Sequence, residues 1–215
     1  MYKFSLTVLI SAGLFILLLF CLVISVMVGV SGIDFETVIA IITQPITGAA
    51  PTFDISDAII VWDIRLPRAL LAAMVGLCLA ASGVALQALF KNPMADPYFL
   101  GISNGAALGA TLIFAWGSGI IFGLYSLPIL SFVFGLITIF LVYNVARVGT
   151  RVPVNTLLLS GIAISAFLSA LNSFILFTTD MDLHQIMFWM MGGLSGRGWS
   201  YIWIILPFAI AGPIV

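Results

Sequence analysis

Side chains able to do acid–base, nucleophilic or metal chemistry are scarce in this sequence. It holds seven Lys and Arg, eight Asp and Glu, two Cys and one His. A metal centre needs several convergent ligands, and His184 is the only histidine, so it reads as an interfacial residue and neither a metal nor a cofactor is expected. Cys21 and Cys78 sit in separate apolar runs and read as small hydrophobes. No GxxxxGK(S/T) phosphate loop occurs, so the chain is not expected to hydrolyse nucleotide itself. The net charge of -1 supplies no basic face for nucleic acid. With one His and peripheral carboxylates, a membrane-embedded enzyme is also excluded: no catalytic group is expected.

The elements that must carry these residues are membrane helices. Of the 215 residues, 63% are hydrophobic and 7% charged, against roughly 25% charged in soluble domains. A water-soluble fold is therefore excluded. At about 20 apolar residues per crossing, the length suffices for about six crossings joined by short connectors. The runs are Ser5–Val30, Ala69–Phe90, Phe99–Phe122, Leu124–Ala146 and Val154–Phe177, with a half-length apolar piece at Gln185–Leu194. Between the first two lies a polar connector, Ser31–Asp63. A last run from Trp199 is still apolar at Val215, which reads as one transmembrane domain, 1–215, incomplete at its C-terminus. The expected fold is an all-α polytopic bundle. Counting Lys and Arg in the short loops puts Lys3, Lys91, Arg147 and Arg151 inside and Arg65, Arg68 and Arg197 outside.

No Asp, Glu, Lys, Arg or His falls in the central part of any run. Charges within a bilayer are costly and mark ion sites and proton relays, so their absence argues against an ion-coupled secondary carrier, and the energy for transport must come from a separate ATPase. Gly101, Gly105 and Gly109 recur every four residues, and Ala72, Gly76 and Ala80 repeat the device. Such stripes serve close helix packing or a surface that slides during gating. The amides Gln87, Asn104, Asn155 and Asn172 fit interhelical hydrogen bonds or the lining of a polar path. Arg65 and Arg68 flank Pro67; they fit either a snorkelling anchor or a charged dock for an acidic external protein.

A longer pattern decides among these. Arg65-Leu66-Pro67-Arg68, Ser82-Gly83 with Gln87, Asn92-Pro93-Met94-Ala95-Asp96-Pro97 and Leu100-Gly101-Ile102-Ser103-Asn104-Gly105-Ala106 resemble the signature of FecCD-type permeases, the membrane subunits of ABC importers for iron-siderophores, haem and cobalamin. Phe188-Trp189-Met190-Met191-Gly192-Gly193-Leu194 is similar to the family segment after the fifth helix, near the cobalamin permease. The resemblance implies the type II importer fold: ten helices per subunit, two subunits as a likeness of a homodimer around one pathway, two ABC ATPase subunits below and a periplasmic or lipoprotein substrate-binding protein above. This sequence supplies about six of the ten, without the coupling helices, and is not expected to transport alone. By the same resemblance Arg65 and Arg68 dock the binding protein, and Asn92, Met94, Val154 and Asn155 form the cytoplasmic gate. Roughly Ser169–Met191 lines the path, while Gly76, Gly83, Gly101, Gly105 and Gly109 pack helices. Membrane lipid is the surrounding partner. The function implied is alternating-access import of an iron-siderophore or related chelate in the cytoplasmic membrane. The rivals are an ion-coupled carrier and a non-transporting truncated scaffold.

Overall fold

The computed structural model describes residues 2–48, 50, 52–116, 123–179 and 188–214. Asp180, Asp182, His184 and the first three residues of the short apolar piece, 185–187, lie outside the described residues. The rest is helical: α1 Tyr2–Met27, α2 Phe35–Thr47, α3 Ile55–Ile59, a π-helix Ile60–Arg65, α4 Leu66–Phe90, a 3-10 turn Pro97–Leu100, α5 Ile102–Trp116, α6 Ser126–Ala146, α7 Val154–Thr178 and α8 Trp199–Ala211. Among the described residues, four helices are long and apolar enough to cross a membrane: Leu6–Met27, Ile55–Phe90, Gly123–Ala146 and Val154–Thr178. The chain divides into two units, one of residues 1–79 with 194–215 and one of residues 80–193.

In the first unit, α1 offers apolar side chains on every side, and Leu9, Leu14, Phe15, Ile16 and Phe20 are exposed. A helix hydrophobic all round belongs in lipid. Only its last turn is clasped, where Val26 joins Val38 and Ile41 of α2, Val61 of the π-helix and Ala69 of α4 in one buried cluster. The connector expected at Ser31–Asp63 thus holds two helices. Phe35, Val38 and Ile42 recur at the helical spacing of three and four, and Glu36 in the first turn and the left-handed Gly48 at the end mark the limits of α2.

The second crossing also starts earlier than expected. The Pro67 ring has no N–H and clashes with the carbonyl four residues back, which would break an ordinary α-helix here. Instead the helix runs unbroken from Ile55 to Phe90, because the backbone widens into a π-turn ahead of the proline, with the Leu66 N–H donating to the Val61 carbonyl. Five residues before Pro67 is Trp62, whose carbonyl therefore has no donor in the π register. The Trp199 indole Nε1 of α8 donates to it at 3.0 Å, and the two indoles lie 5.9 Å apart. A proline on one helix thereby docks the start of another.

In the second unit, α5, α6 and α7 pack through glycine. A Cβ on Gly105 would run into Thr138 and the Phe134 carbonyl, and one on Gly109 would sit 2.6 Å from the Leu130 carbonyl. Rising residue numbers on α5 meet falling numbers on α6, so the two are antiparallel. Gly101, at φ +72°, is wedged against the Ser165 hydroxyl, and Gly161 against the Phe99 carbonyl. Further along, the Asn172 amide, 2% exposed, donates from Nδ2 to the Asn104 carbonyl at 3.3 Å, so α5 and α7 run in the same direction. Thr111 and Thr138 are buried between these helices and return their hydroxyls to the carbonyls of Ala107 and Phe134 one turn back. Gly76 and Gly83 differ, since a Cβ on either would meet nothing within 4 Å; their face of α4 has no neighbour among the described residues.

Overpacking a tight helix contact costs about 1–3 kcal/mol. Gly105→Ala is therefore expected to lower the thermal midpoint of the detergent-solubilised chain, while Gly76→Ala, whose methyl meets open space and gains up to about 1 kcal/mol of helix propensity, does not lower it. Equal midpoints for the two variants would show that the glycine stripe of α5 does not hold the bundle.

Candidate functional site

Two turns of the second unit meet at one end of its helices. The helix α4 stops where Lys91 takes the left-handed conformation, φ 48°, and two prolines, Pro93 and Pro97, prevent its resumption. Two side-chain oxygens, an amide and a carboxylate, then fold the turn on itself. Asn92 Oδ1 accepts from the Met94 N–H at 2.9 Å, and Asp96 Oδ1 accepts from the Tyr98 N–H at 2.7 Å, both the Asx geometry that short polar side chains impose. Ala95 and Leu100 are left pointing inward, buried with Phe90 and packed against Leu157 and Leu158 in the opening turns of α7. The other turn, between α6 and α7, is pinned by the Val148–Arg151 bridge around Gly149 at φ +64°.

This arrangement brings the four sequence-derived gate positions to one locality. Asn92 and Met94 are exposed on the first turn, and Val154 and Asn155 are exposed at the start of α7. Beneath them is the apolar contact of Ala95 and Leu100 with Leu157 and Leu158. Lys91, Arg147 and Arg151 are exposed on the same two turns, so three cations collect at this end, the pattern of a cytoplasmic face. Among the described residues, the turns offer no acid, base or nucleophile positioned on another such group.

The arginine pair divides. Arg68 is exposed and makes no hydrogen bond or ion pair with the described residues. Arg65, expected beside it at the docking face, is turned into the fold and 8% exposed. Its Nη1 donates to the Val26 and Met27 carbonyls at 3.1 and 2.9 Å, and its Nη2 to the Ser31 hydroxyl at 2.5 Å. Those carbonyls belong to the last turn of α1, which has no helical donors of its own and carries the negative end of the helix dipole. Gly29 makes the seat: a Cβ there would stand 2.5 Å from Nη2. Near this seat, Arg197 covers the Tyr201 ring at 4.6 Å, and with Trp62 and Trp199 these rings form the aromatic and basic trim of a membrane–water boundary. Sequence reasoning had no signal for Gly29, Ser31 or Gly161, whose importance lies in partners far along the chain. Trp62 had one faint signal, its place five residues ahead of a proline.

Residues 17–215 match the FecCD transport family. The ABC transporter permease YvrB of Bacillus subtilis is 42% identical over 158 residues, 73% of this chain and 45% of that protein. The cobalamin import permease BtuC of Halobacterium salinarum is 40% identical over 73% of this chain and 42% of its own length, and the vitamin B12 import permease BtuC of Klebsiella pneumoniae is 40% identical over 68% and 44%. The chain thus spans less than half the length of these curated relatives. A solved structure, described as an inward-facing conformation of a metal-chelate type ABC transporter, superposes with a TM-score of 0.72 at 31% identity, over 95% of this chain and 59% of that one.

Asn92→Ala removes the acceptor that holds the Met94 N–H, at a cost of about 1 kcal/mol; hydrogen exchange at Met94 should accelerate several-fold. Asn92→Asp keeps the acceptor and should leave the exchange rate unchanged. An unchanged rate in Asn92→Ala would show that the turn is held by something other than this bond.

Proposed function

The chain belongs to the FecCD transport family, and we propose that it forms the membrane permease, or the first part of one, of an ATP-binding cassette importer that carries a metal chelate across the cytoplasmic membrane. The observation carrying this reading is the locality of Asn92, Met94, Val154 and Asn155 at the cationic end of helices that hold no Asp, Glu, Lys, Arg or His along Ala69–Phe90, Ile102–Trp116, Ser126–Ala146 or Val154–Thr178. Lacking an intramembrane charge to couple to an ion gradient, the helices are moved by an ATPase bound at the cytoplasmic side. The two turns open and close as the inner gate. Two copies of the permease line the path, and an external binding protein delivers the cargo to a face that includes the exposed Arg68.

The cargo class rests on likeness and on chemistry together. Relatives of this chain are named for cobalamin and vitamin B12, and a structural neighbour for metal chelates. Large chelates present mostly organic surface, and a path walled by apolar and amide side chains passes such surface without holding it. Affinity then resides in the binding protein, and the permease discriminates little.

Uptake of radiolabelled cyanocobalamin and of a ferric siderophore into cells carrying the whole system should stop when the phosphate-loop Lys of the ATPase is replaced. It should persist through the first minutes after the proton gradient is collapsed, while ATP lasts. Uptake that survives loss of the ATPase and fails at once with the gradient identifies a secondary carrier and overturns the reading.

A further inference from the structure

The two arginines flanking Pro67 are of one type, three residues apart and on the same helix, yet their environments are opposite. Arg68 is exposed, whereas Arg65 is buried and commits three donated hydrogen bonds to α1 and the turn after it. Withdrawing Arg65 to meet an external carboxylate would strand the Val26 and Met27 carbonyls where the Val38–Ile41–Val61 cluster excludes water. Stranded backbone acceptors are costly there. A lysine, with a compact ammonium in place of the planar fork, does not reproduce the grip.

The position of Arg65 in the helix adds the second half of the argument. It is the last residue of the π-helix. A π-turn holds one residue more than the α-helix it interrupts, and each α-helical residue subtends about 100°. If the turn relaxed to α register, the backbone on its two sides would rotate against each other by about that angle, and Arg68 would face another way relative to Trp62 and its tie to Trp199. The guanidinium of Arg65, anchored on α1, opposes that relaxation at the residue where it would begin.

We propose that Arg65 is a positioning residue and not a docking one: its grip on the C-terminal carbonyls of α1, in the seat left by Gly29, holds the π-turn and so aims Arg68, the member of the pair that supplies docking charge. The aiming of Arg68 toward a binding protein rests on the proposed function; the grip itself does not.

The experiment uses the assembled transporter in nanodiscs with its purified binding protein, and follows three readouts. Arg68→Ala should weaken association about tenfold and flatten its salt dependence, with the thermal midpoint unchanged. Arg65→Ala and Arg65→Lys should both lower the midpoint and weaken association, but keep the wild-type salt slope. Gly29→Ala, which leaves both charges in place and evicts the guanidinium, should copy Arg65→Ala, and the two together should be no worse than either. In a background with Cys21 and Cys78 replaced by Ser, the reaction of Arg68→Cys with a charged aqueous thiol reagent should change several-fold when Arg65→Ala or Gly29→Ala is added; a residue with only a general stabilising role would leave that rate alone. Full rescue by Arg65→Lys, together with a salt slope in Arg65→Ala as flat as in Arg68→Ala, overturns the proposal. So does additivity of Gly29→Ala with Arg65→Ala. If wild type binds no partner at all, the docking reading fails, and the midpoints and thiol rates still decide whether Arg65 grips α1 and aims position 68.

Discussion

A backbone carbonyl deprived of its helical donor has to find another before it can be buried or enter lipid, and the first unit of this chain is organised around two such debts. One arises where α1 ends, leaving the Val26 and Met27 carbonyls for Arg65. The other arises from Pro67, which leaves the Trp62 carbonyl for Trp199. The donors come from residues 38 and 137 positions away, so satisfying the backbone also ties α1, the π-helix and α8 together. The apolar cluster of Val26, Val38, Ile41, Val61 and Ala69 fills in behind these ties. Non-directional burial supplies stability, and the hydrogen bonds fix which residues are brought level.

The second unit solves a different problem. Between helices already surrounded by apolar solvent, burial of apolar side chains offers little gain, and close van der Waals approach has to hold the bundle. Gly105, Gly109 and Gly161 provide it, bringing backbones to where a single methyl would collide. The closeness at Gly101 and Gly161 also determines the position of the Lys91–Leu100 turn, since Phe99 and Leu100 rest on α7. Turn and packing are therefore one structure: the Lys91–Leu100 turn is seated on α7 by the same close approach that packs α5 against it.

The absence of charge from the spans and the collection of charge at their ends are two sides of the same economy. Lys91, Arg147 and Arg151 stand on the turns of the second unit, and Arg65, Arg68 and Arg197 cluster in the first near Trp62, Trp199 and Tyr201. Within the first unit one cation, Arg65, is withdrawn from water and matched with a helix terminus in place of a carboxylate. That choice avoids burying a second charge and spends the helix dipole of α1 instead.

The sequence by itself determined the helical class, the charge-free spans, the glycine spacing on α5 and the family, because composition, run length and a long motif in register are local properties. It also marked the turn after α4, since Asn-Pro and Asp-Pro punctuate the chain wherever they occur. The helix that carries the second run begins well before Ala69, where the apolar run was expected to start: charge in the connector is a local signal, whereas the widened backbone and the Trp199 donor that accommodate Pro67 are tertiary. The identical chemistry of Arg65 and Arg68 was likewise indivisible from sequence. Burial is decided by what packs against a side chain, and Gly29, Ser31 and the end of α1 reach Arg65 only once the chain has folded.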